Sequence, residues 1–436
     1  MKHNVVFFAF LFGLTLNAYS RTETSPSQGK IKCHISGTVI DRPQSALLML
    51  KPCDSDSRIY PWMSVPIDDG KFDYTFYVDI EEAYELIFYE EFYKEGSWSP
   101  IVFFAEQGNI NFTLYPKNRW EDNVILSDAP LNALNKRYKD LDKELYPSLS
   151  ILYEERDLLD KESRYYSDEF KQWIADIQAN SEEEKYDTLY KRRDELYRSG
   201  RAYSEEGKVV NEKIKQIMTE METLKFDYIK NNPSLPAYYQ LVSLVTSALS
   251  QMKHDPTFAP DPAPYFIVYE EIFKGKYPDH PYTSKMEIYI SSSAIKTGGR
   301  YIDFTAPDAN GKEFRLSEQI DGKVALIDLW ASWCGPCRRS AKSMIPVYEK
   351  YKNKGFTVVG VARERDVDEM VRAVQQDGYP WLNLVELNDK GKIWQKYGAD
   401  NSGGKTFLVD QIGTILAVDT TAEEVVALLE ELLGGF

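Results

Sequence analysis

The rhythm of hydrophobic and polar positions changes twice along this chain. Between about residues 30 and 125 the apolar positions fall in short runs rich in Val, Ile, Phe and Tyr: "IKCHISGTVI", "ALLMLKPC", "KFDYTFYV", "AYELIFYEEFY", "SPIVFFAE" and "NINFTLYP". Turn residues such as "DDG", "EGS" and "EQGN" separate most of them. Such runs predict strands, and their succession predicts an all-β sandwich. From about 130 to 295 the pattern becomes helical and charged. In "VVNEKIKQIMTEMETLKFDYIK", Val210, Ile214, Ile217, Met221, Leu224 and Tyr228 recur at spacings of four and three. That lays one apolar stripe along a helix, suited to packing on neighbouring helices. "NNPSLP" ends it and "AYYQLVSLVTSAL" begins another, with proline-rich connectors at "DPTFAPDPAPYF" and "GKYPDHPYTSK".

A third rhythm starts near Thr297. "VALIDLW" predicts a strand buried on both faces, followed by a helix in "CRRSAKSMIPVYEKYK". "GFTVVGVA" predicts a second buried strand and "VDEMVRAVQQDG" a second helix. "TFLVD" and "TILAV" predict a hairpin, and "TAEEVVALLEELL" a closing helix. Strands alternating with helices indicate an α/β plan. The expected organisation is therefore multi-domain: an all-β domain at 21–127, an α-helical domain at 128–297 and an α/β domain at 298–436.

The first twenty residues stand apart. Lys2 gives a positive start, Val5 to Leu16 is an apolar run too short to span a bilayer, and Ala18-Tyr19-Ser20 supplies small residues where a signal peptidase reads. Residues 1–20 are expected to be a signal peptide, cut after Ser20. No later stretch reaches the roughly 18 apolar residues of a membrane span, so no retained transmembrane segment is expected. The mature protein would be exported to the periplasm or cell envelope, where disulfides persist. A formal net charge of −16 repels phosphate and argues against nucleic acid as a partner.

Only four cysteines occur in the 436 residues. Cys33 and Cys53 lie ten residues on either side of Pro43. If the first two strands form a hairpin, the two face each other, and a structural disulfide there would contribute about 3 kcal/mol. Two buried thiols are the alternative, because a one-residue slip puts the side chains on opposite faces. Cys334 and Cys337 form a Cys-X-X-Cys pair in "DLWASWCGPCRRS". A zinc site needs two further ligands, and Cys33, Cys53 and the scattered histidines make no such cluster. A loop so short constrains little of the unfolded chain, which disfavours an inert disulfide. Redox chemistry remains. Cys334 falls where a strand ends and a helix begins, and free N–H groups with the helix dipole stabilise a thiolate there. Arg338 and Arg339 add positive charge. Cys334 is then the attacking thiolate and Cys337 the buried thiol that resolves the mixed disulfide. Pro336 suits the first helical turn, and Trp333 gives the pair an apolar flank or serves packing alone.

These residues resemble the thioredoxin superfamily. The run "GKVALIDLWASWCGPCRRS" through "YEKYKNKGFTVVGVA" to "TFLVDQIGTILAV" resembles its TlpA/ResA-like envelope thiol:disulfide oxidoreductases. The front half resembles, more loosely, a β domain of unknown function that precedes such redox domains in some bacterial envelope proteins. The resemblance implies a thioredoxin fold at the C-terminus, with Cys334 and Cys337 as the redox pair. It implies a buried carboxylate at Asp328, six residues before Cys334, able to exchange a proton with Cys337. A substrate groove would be lined by Trp333, Gly335, Pro336, Gly404 and Lys405. No cofactor and no metal are implied. Partners would be protein dithiol or disulfide substrates and an unidentified envelope electron donor. The Gly-Pro spacer resembles that of reducing members.

Three positions depart from the family. Its cis-proline is replaced by Gly404, or by Gly403 if the loop carries an insertion, which would leave the sulfurs more open on that side. Ser340 stands where glutamate is frequent. Lys342 replaces a helix-kinking proline, with Pro346 one turn later. The expected function is an exported thiol:disulfide oxidoreductase acting as a disulfide reductase. The alternative is a redox-sensing or partner-binding protein with little turnover.

Overall fold

The computed structural model describes residues 30–53, 55, 61–179, 183–254, 260–399 and 403–433. The signal peptide expected at 1–20 and part of the proline-rich connector lie outside the described residues. The chain divides into two compact units. The first holds the described residues up to Leu50 with Met63–Ala129, and the second holds the rest.

The first unit is a β-sandwich. Its strands are β1 (Ile31–Val39), β2 (Leu47–Pro52), β3 (Met63–Pro66), β4 (Lys71–Val78), β5 (Glu82–Phe88), β6 (Ile101–Ala105), β7 (Gly108–Leu114) and β8 (Val124–Ser127). They form two four-stranded sheets, in the orders β4-β1-β7-β8 and β3-β2-β5-β6. Along β1 every second residue from Cys33 to Val39 is buried, the period-two pattern of a half-buried strand. Both sheets feed one core: Ile35, Phe72 and Phe112 from one, Leu48, Leu86 and Phe103 from the other.

The expected hairpin between the first two strands does not form. β1 pairs with β4 and β7, whereas β2 lies in the opposite sheet. The proposed disulfide falls with it: Cys33 and Cys53 are both thiols. The link between the strands is fixed instead by a buried ion pair. Arg42 Nη2 donates to Glu91 Oε1 at 2.6 Å, and its guanidinium lies 3.5 Å from the centre of the Phe88 ring. Burial pushes the Cys33 thiol up to about 12.

In the second unit, the striped helix runs Glu205–Asn231 and begins at Ser204, whose side chain accepts the Gly207 N–H. Val210 and Ile214 are buried against Leu149, Leu159 and Tyr165. The stripe weakens at Leu224, which is exposed. The α/β part adds β9 (Thr305–Pro307), β10 (Glu313–Arg315), β11 (Val324–Trp330), β12 (Phe356–Glu364), β13 (Leu382–Leu387), β14 (Lys405–Val409) and β15 (Ile415–Val418). Five of these make a thioredoxin-like sheet of order β13-β12-β11-β14-β15. β11, β12 and β13 run parallel, while β14 is antiparallel to both β11 and β15. One face packs Leu326 and Trp330 with the helices Gly335–Tyr351, Val367–Asp377 and Ala422–Leu433. The other packs Ile327 and Leu329 with Leu316, Trp394 and Tyr397. Helix Pro281–Ser293 of the helical region packs on the short helix Ile393–Lys396. Among the described residues no helix is long and apolar enough to cross a membrane.

Alkylation of oxidised, urea-unfolded protein without reductant should add two tags, on Cys33 and Cys53, as peptide mass mapping would show. No tag on either position would restore the bridge.

Candidate active site

The site grows from the end of β11. All seven residues of this strand are buried, as expected for a strand with neighbours on both edges and packing on both faces. The chain then turns through Ala331–Trp333 and enters helix Gly335–Tyr351 with Cys334 as its N-cap. Cys334 is extended (φ −87°, ψ 92°), and its Sγ accepts the Cys337 N–H at 3.3 Å. This is a capping bond made by sulfur in place of oxygen. Cys334 and Cys337 are joined by a disulfide, with their Cα atoms 5.3 Å apart. Pro336 lies in the first turn, where it forfeits no helical hydrogen bond.

The turn before Cys334 is held from two sides. Ser332 donates its N–H to Glu364 Oε1 at 2.5 Å and its hydroxyl to Oε2 at 2.9 Å. Arg338 Nη1 donates to the Ser332 carbonyl at 3.3 Å. Glu364 is the last residue of β12 and is buried, which raises its carboxyl pKa; the bonds from Ser332 oppose that rise. Glu364 was not foreseen as a site residue. Its only signal is a charged residue directly ending an apolar strand. Arg338 also differs from expectation. Its Nε donates to Asp377 at 2.6 Å and holds that carboxyl below the usual range, so the charge goes to an ion pair, not to Cys334.

Asp328 is buried, and on β11 it shares a face with Leu326 and Trp330, beneath helix Gly335–Tyr351. Burial alone pushes its carboxyl up to about 7. Cys337 packs against the clusters on both faces of the sheet. The exposures of the two cysteines reverse the expected order. Cys334 is 7% exposed and Cys337 is half-buried, because Cys334 packs into the apolar cluster around Leu329, Trp394 and Tyr397. Trp333 stands 53% exposed, its ring 6.4 Å from that of Trp394.

Gly404 changes the picture most. The described residues contain no cis peptide bond. Gly404 lies so close to the end of β11 that a Cβ there would fall 1.8 Å from the Leu329 carbonyl oxygen and 3.1 Å from Cys337 Sγ. No side chain fits in this conformation. Its N–H donates to Cys337 Sγ at 3.2 Å. The expectation of a more open sulfur on this side is therefore overturned: without a ring, the backbone itself closes on Cys337. Lys405 follows as the first residue of β14, opposite Leu329. Gly335 and Pro336 are exposed on the helix start, so Trp333, Gly335 and Pro336 flank the disulfide in sequence while Gly404 approaches it across space.

Residues 297–418 match the AhpC/TSA family. Over 156 residues, 35% of this chain and 86% of the relative, the sequence is 27% identical to the thiol-disulfide oxidoreductase ResA of Geobacillus kaustophilus. It is 27% identical over 147 residues to ResA of Bacillus thuringiensis, covering 33% of this chain and 81% of the relative. Among solved structures, a putative thiol:disulfide interchange protein DsbE from Chlorobium tepidum is 32% identical, with 32% of this chain and 97% of that chain covered and a TM-score of 0.28. The C-terminal region is thus an AhpC/TSA thioredoxin-fold domain whose relatives are named thiol-disulfide oxidoreductases.

The raised carboxyl at Asp328 fixes the sign of a stability effect. Its folded pKa of about 7 lies above the ordinary aspartate value of 3.8, so the folded state binds the proton more tightly. That stabilisation is complete below about pH 4 and is lost as pH rises through 7. Asp328→Asn should therefore stabilise the oxidised protein at pH 8 by up to about 4 kcal/mol, with no pH-dependent gain at pH 4. Urea unfolding at the two pH values measures this, and equal shifts at both would rule it out.

Proposed function

We propose, on the footing of this AhpC/TSA thioredoxin-fold domain, that the protein is an exported thiol:disulfide oxidoreductase that reduces disulfides in other proteins. The observation that carries the reading is the Cys334–Cys337 disulfide capping a helix N-terminus above the buried Asp328. In the reduced protein the helix N-terminus favours the Cys334 thiolate. This thiolate attacks one sulfur of a substrate disulfide. A Cys334–substrate disulfide forms, and the other substrate sulfur leaves with the electron pair as a thiolate. Cys337 gives its proton to the Asp328 carboxylate and attacks Cys334 Sγ. The mixed disulfide breaks, the substrate leaves as a second thiolate, and the Cys334–Cys337 disulfide remains. Two electrons have passed to the substrate, whose thiolates take protons from solvent. A second dithiol must then return the pair to the reduced state.

The direction rests on the Gly335-Pro336 spacer, which resembles that of reducing members of the superfamily. Export rests on Lys2, the apolar run Val5 to Leu16 and the small residues before Arg21. Trp333, exposed beside the pair, and the backbone at Gly404 and Lys405 would offer the substrate chain its contacts.

Insulin reduction with dithiothreitol as the electron source tests the reading. Cys334→Ser should bring the rate to the uncatalysed level. Cys337→Ser should accumulate mixed disulfides at Cys334, seen as mass adducts that dithiothreitol removes. Undiminished activity in Cys334→Ser would sink the proposal.

A further inference from the structure

The two sulfurs of the pair each face one backbone donor, and the donors come from different places. Cys334 Sγ accepts the Cys337 N–H at 3.3 Å, a bond built into any helix start of this kind. Cys337 Sγ accepts the Gly404 N–H at 3.2 Å, from a loop distant in sequence. A proline at this position has no N–H to give. The close approach that makes the bond also explains why the residue is glycine, since any Cβ would collide with the Leu329 carbonyl.

We propose that the Gly404 amide is a catalytic donor that takes up the negative charge on Cys337 whenever that sulfur is a thiolate. This rests on the thiol:disulfide reading above and adds a group to it. The bond matters most when the disulfide is reduced again. A thiolate of the donor dithiol attacks Cys334 Sγ, and a donor–Cys334 disulfide forms. The Cys334–Cys337 bond breaks and its electron pair goes to Cys337 Sγ, where the Gly404 N–H is already aimed. A sulfur whose thiolate is stabilised leaves faster, so the amide speeds this step. The donor's second thiol gives its proton to solvent and, as a thiolate, attacks the donor sulfur of the mixed disulfide. The donor leaves oxidised, and Cys334 departs as the thiolate that the helix N-terminus favours. In substrate reduction, the same bond raises the fraction of Cys337 available as thiolate for attack on the mixed disulfide.

Side-chain substitution at 404 cannot test this, because even alanine would force the backbone away from Leu329. Replacing Gly404 by glycolic acid turns the amide into an ester, removing the N–H and leaving the space unchanged. The charged groups around Cys337 are Asp328 on β11, Arg338 and Arg339 on its own helix with Arg338 paired to Asp377, and Lys405 on β14 with Asp419 beyond it. All are the same in both proteins, so the comparison isolates one hydrogen bond. In a Cys334→Ala background, the pH dependence of Cys337 alkylation should shift upward by about one pKa unit in the ester. With both cysteines present, reduction of the disulfide by dithiothreitol should slow about threefold in the ester. In the unaltered backbone, the Gly404 amide proton resonance should move with the Cys337 titration. A folded ester with the same Cys337 titration and the same reduction rate would overturn the proposal, as would an amide resonance indifferent to that titration. These readouts do not use protein-substrate turnover, so they separate failure of this inference from failure of the oxidoreductase reading.

Discussion

The redox turn depends on the burial of β11. Its seven residues pack on both faces and pair with a strand on each edge, so the strand cannot slide or twist without opening two apolar clusters at once. That makes the end of the strand at Trp330 a fixed point, and Cys334 begins a helix four residues beyond it. The same burial makes Asp328 unusual. In a strand otherwise apolar, burial strips a carboxylate of its hydration, and the neutral acid is favoured up to about pH 7. The strand that positions the sulfurs thereby also places a proton beneath them.

Polar contacts then shape the turn itself. Glu364 and Asp328 are two carboxyls raised by burial, yet they differ in what meets them. Glu364 receives an N–H and a hydroxyl from Ser332, which favours its charged form. At Asp328 it is burial that raises the pKa and favours the neutral acid. One carboxyl is therefore suited to holding a loop and the other to exchanging a proton. Arg338 serves the first task too, since its guanidinium spans Asp377, Gln376 and the Ser332 carbonyl.

Much of this was legible in the sequence because it is local. Helix and strand periods, the cysteine spacing and the strand-to-helix junction at Cys334 all depend on residues near one another. The family resemblance, supported by the apolar neighbours in "VALIDLW", placed Asp328 in the interior. What escaped was set by partners far apart in sequence. The edge strand β13, "LNLVEL", gave too short an alternation to be singled out. β1 and β2 look like a hairpin because turn residues mark a change of direction and not the sheet that is joined next. The link between them carries Arg42, whose partner Glu91 lies 49 residues away. Glu364 and Ser332 meet across 32 residues. Gly404 was identified as a departure, but a missing ring was read as a gap. The close approach to Leu329 that fills it is a property of the β11–β14 pairing, which no single segment encodes.

The site therefore sets opposing influences on the same two sulfurs. The helix N-terminus stabilises a thiolate at Cys334, and the amide of Gly404 does so at Cys337; both favour the reduced pair and raise its potential. Asp328 acts the other way on Cys337 once it ionises, because a buried negative charge beneath that helix disfavours a thiolate there. Well below pH 7 the neutral acid prevails and the two donors act with little opposition. Above pH 7 the added negative charge resists the ionisation that rising pH would otherwise bring to the cysteines. Proton and thiolate thus compete across one helix start, and the competition is steepest in the range where Asp328 titrates.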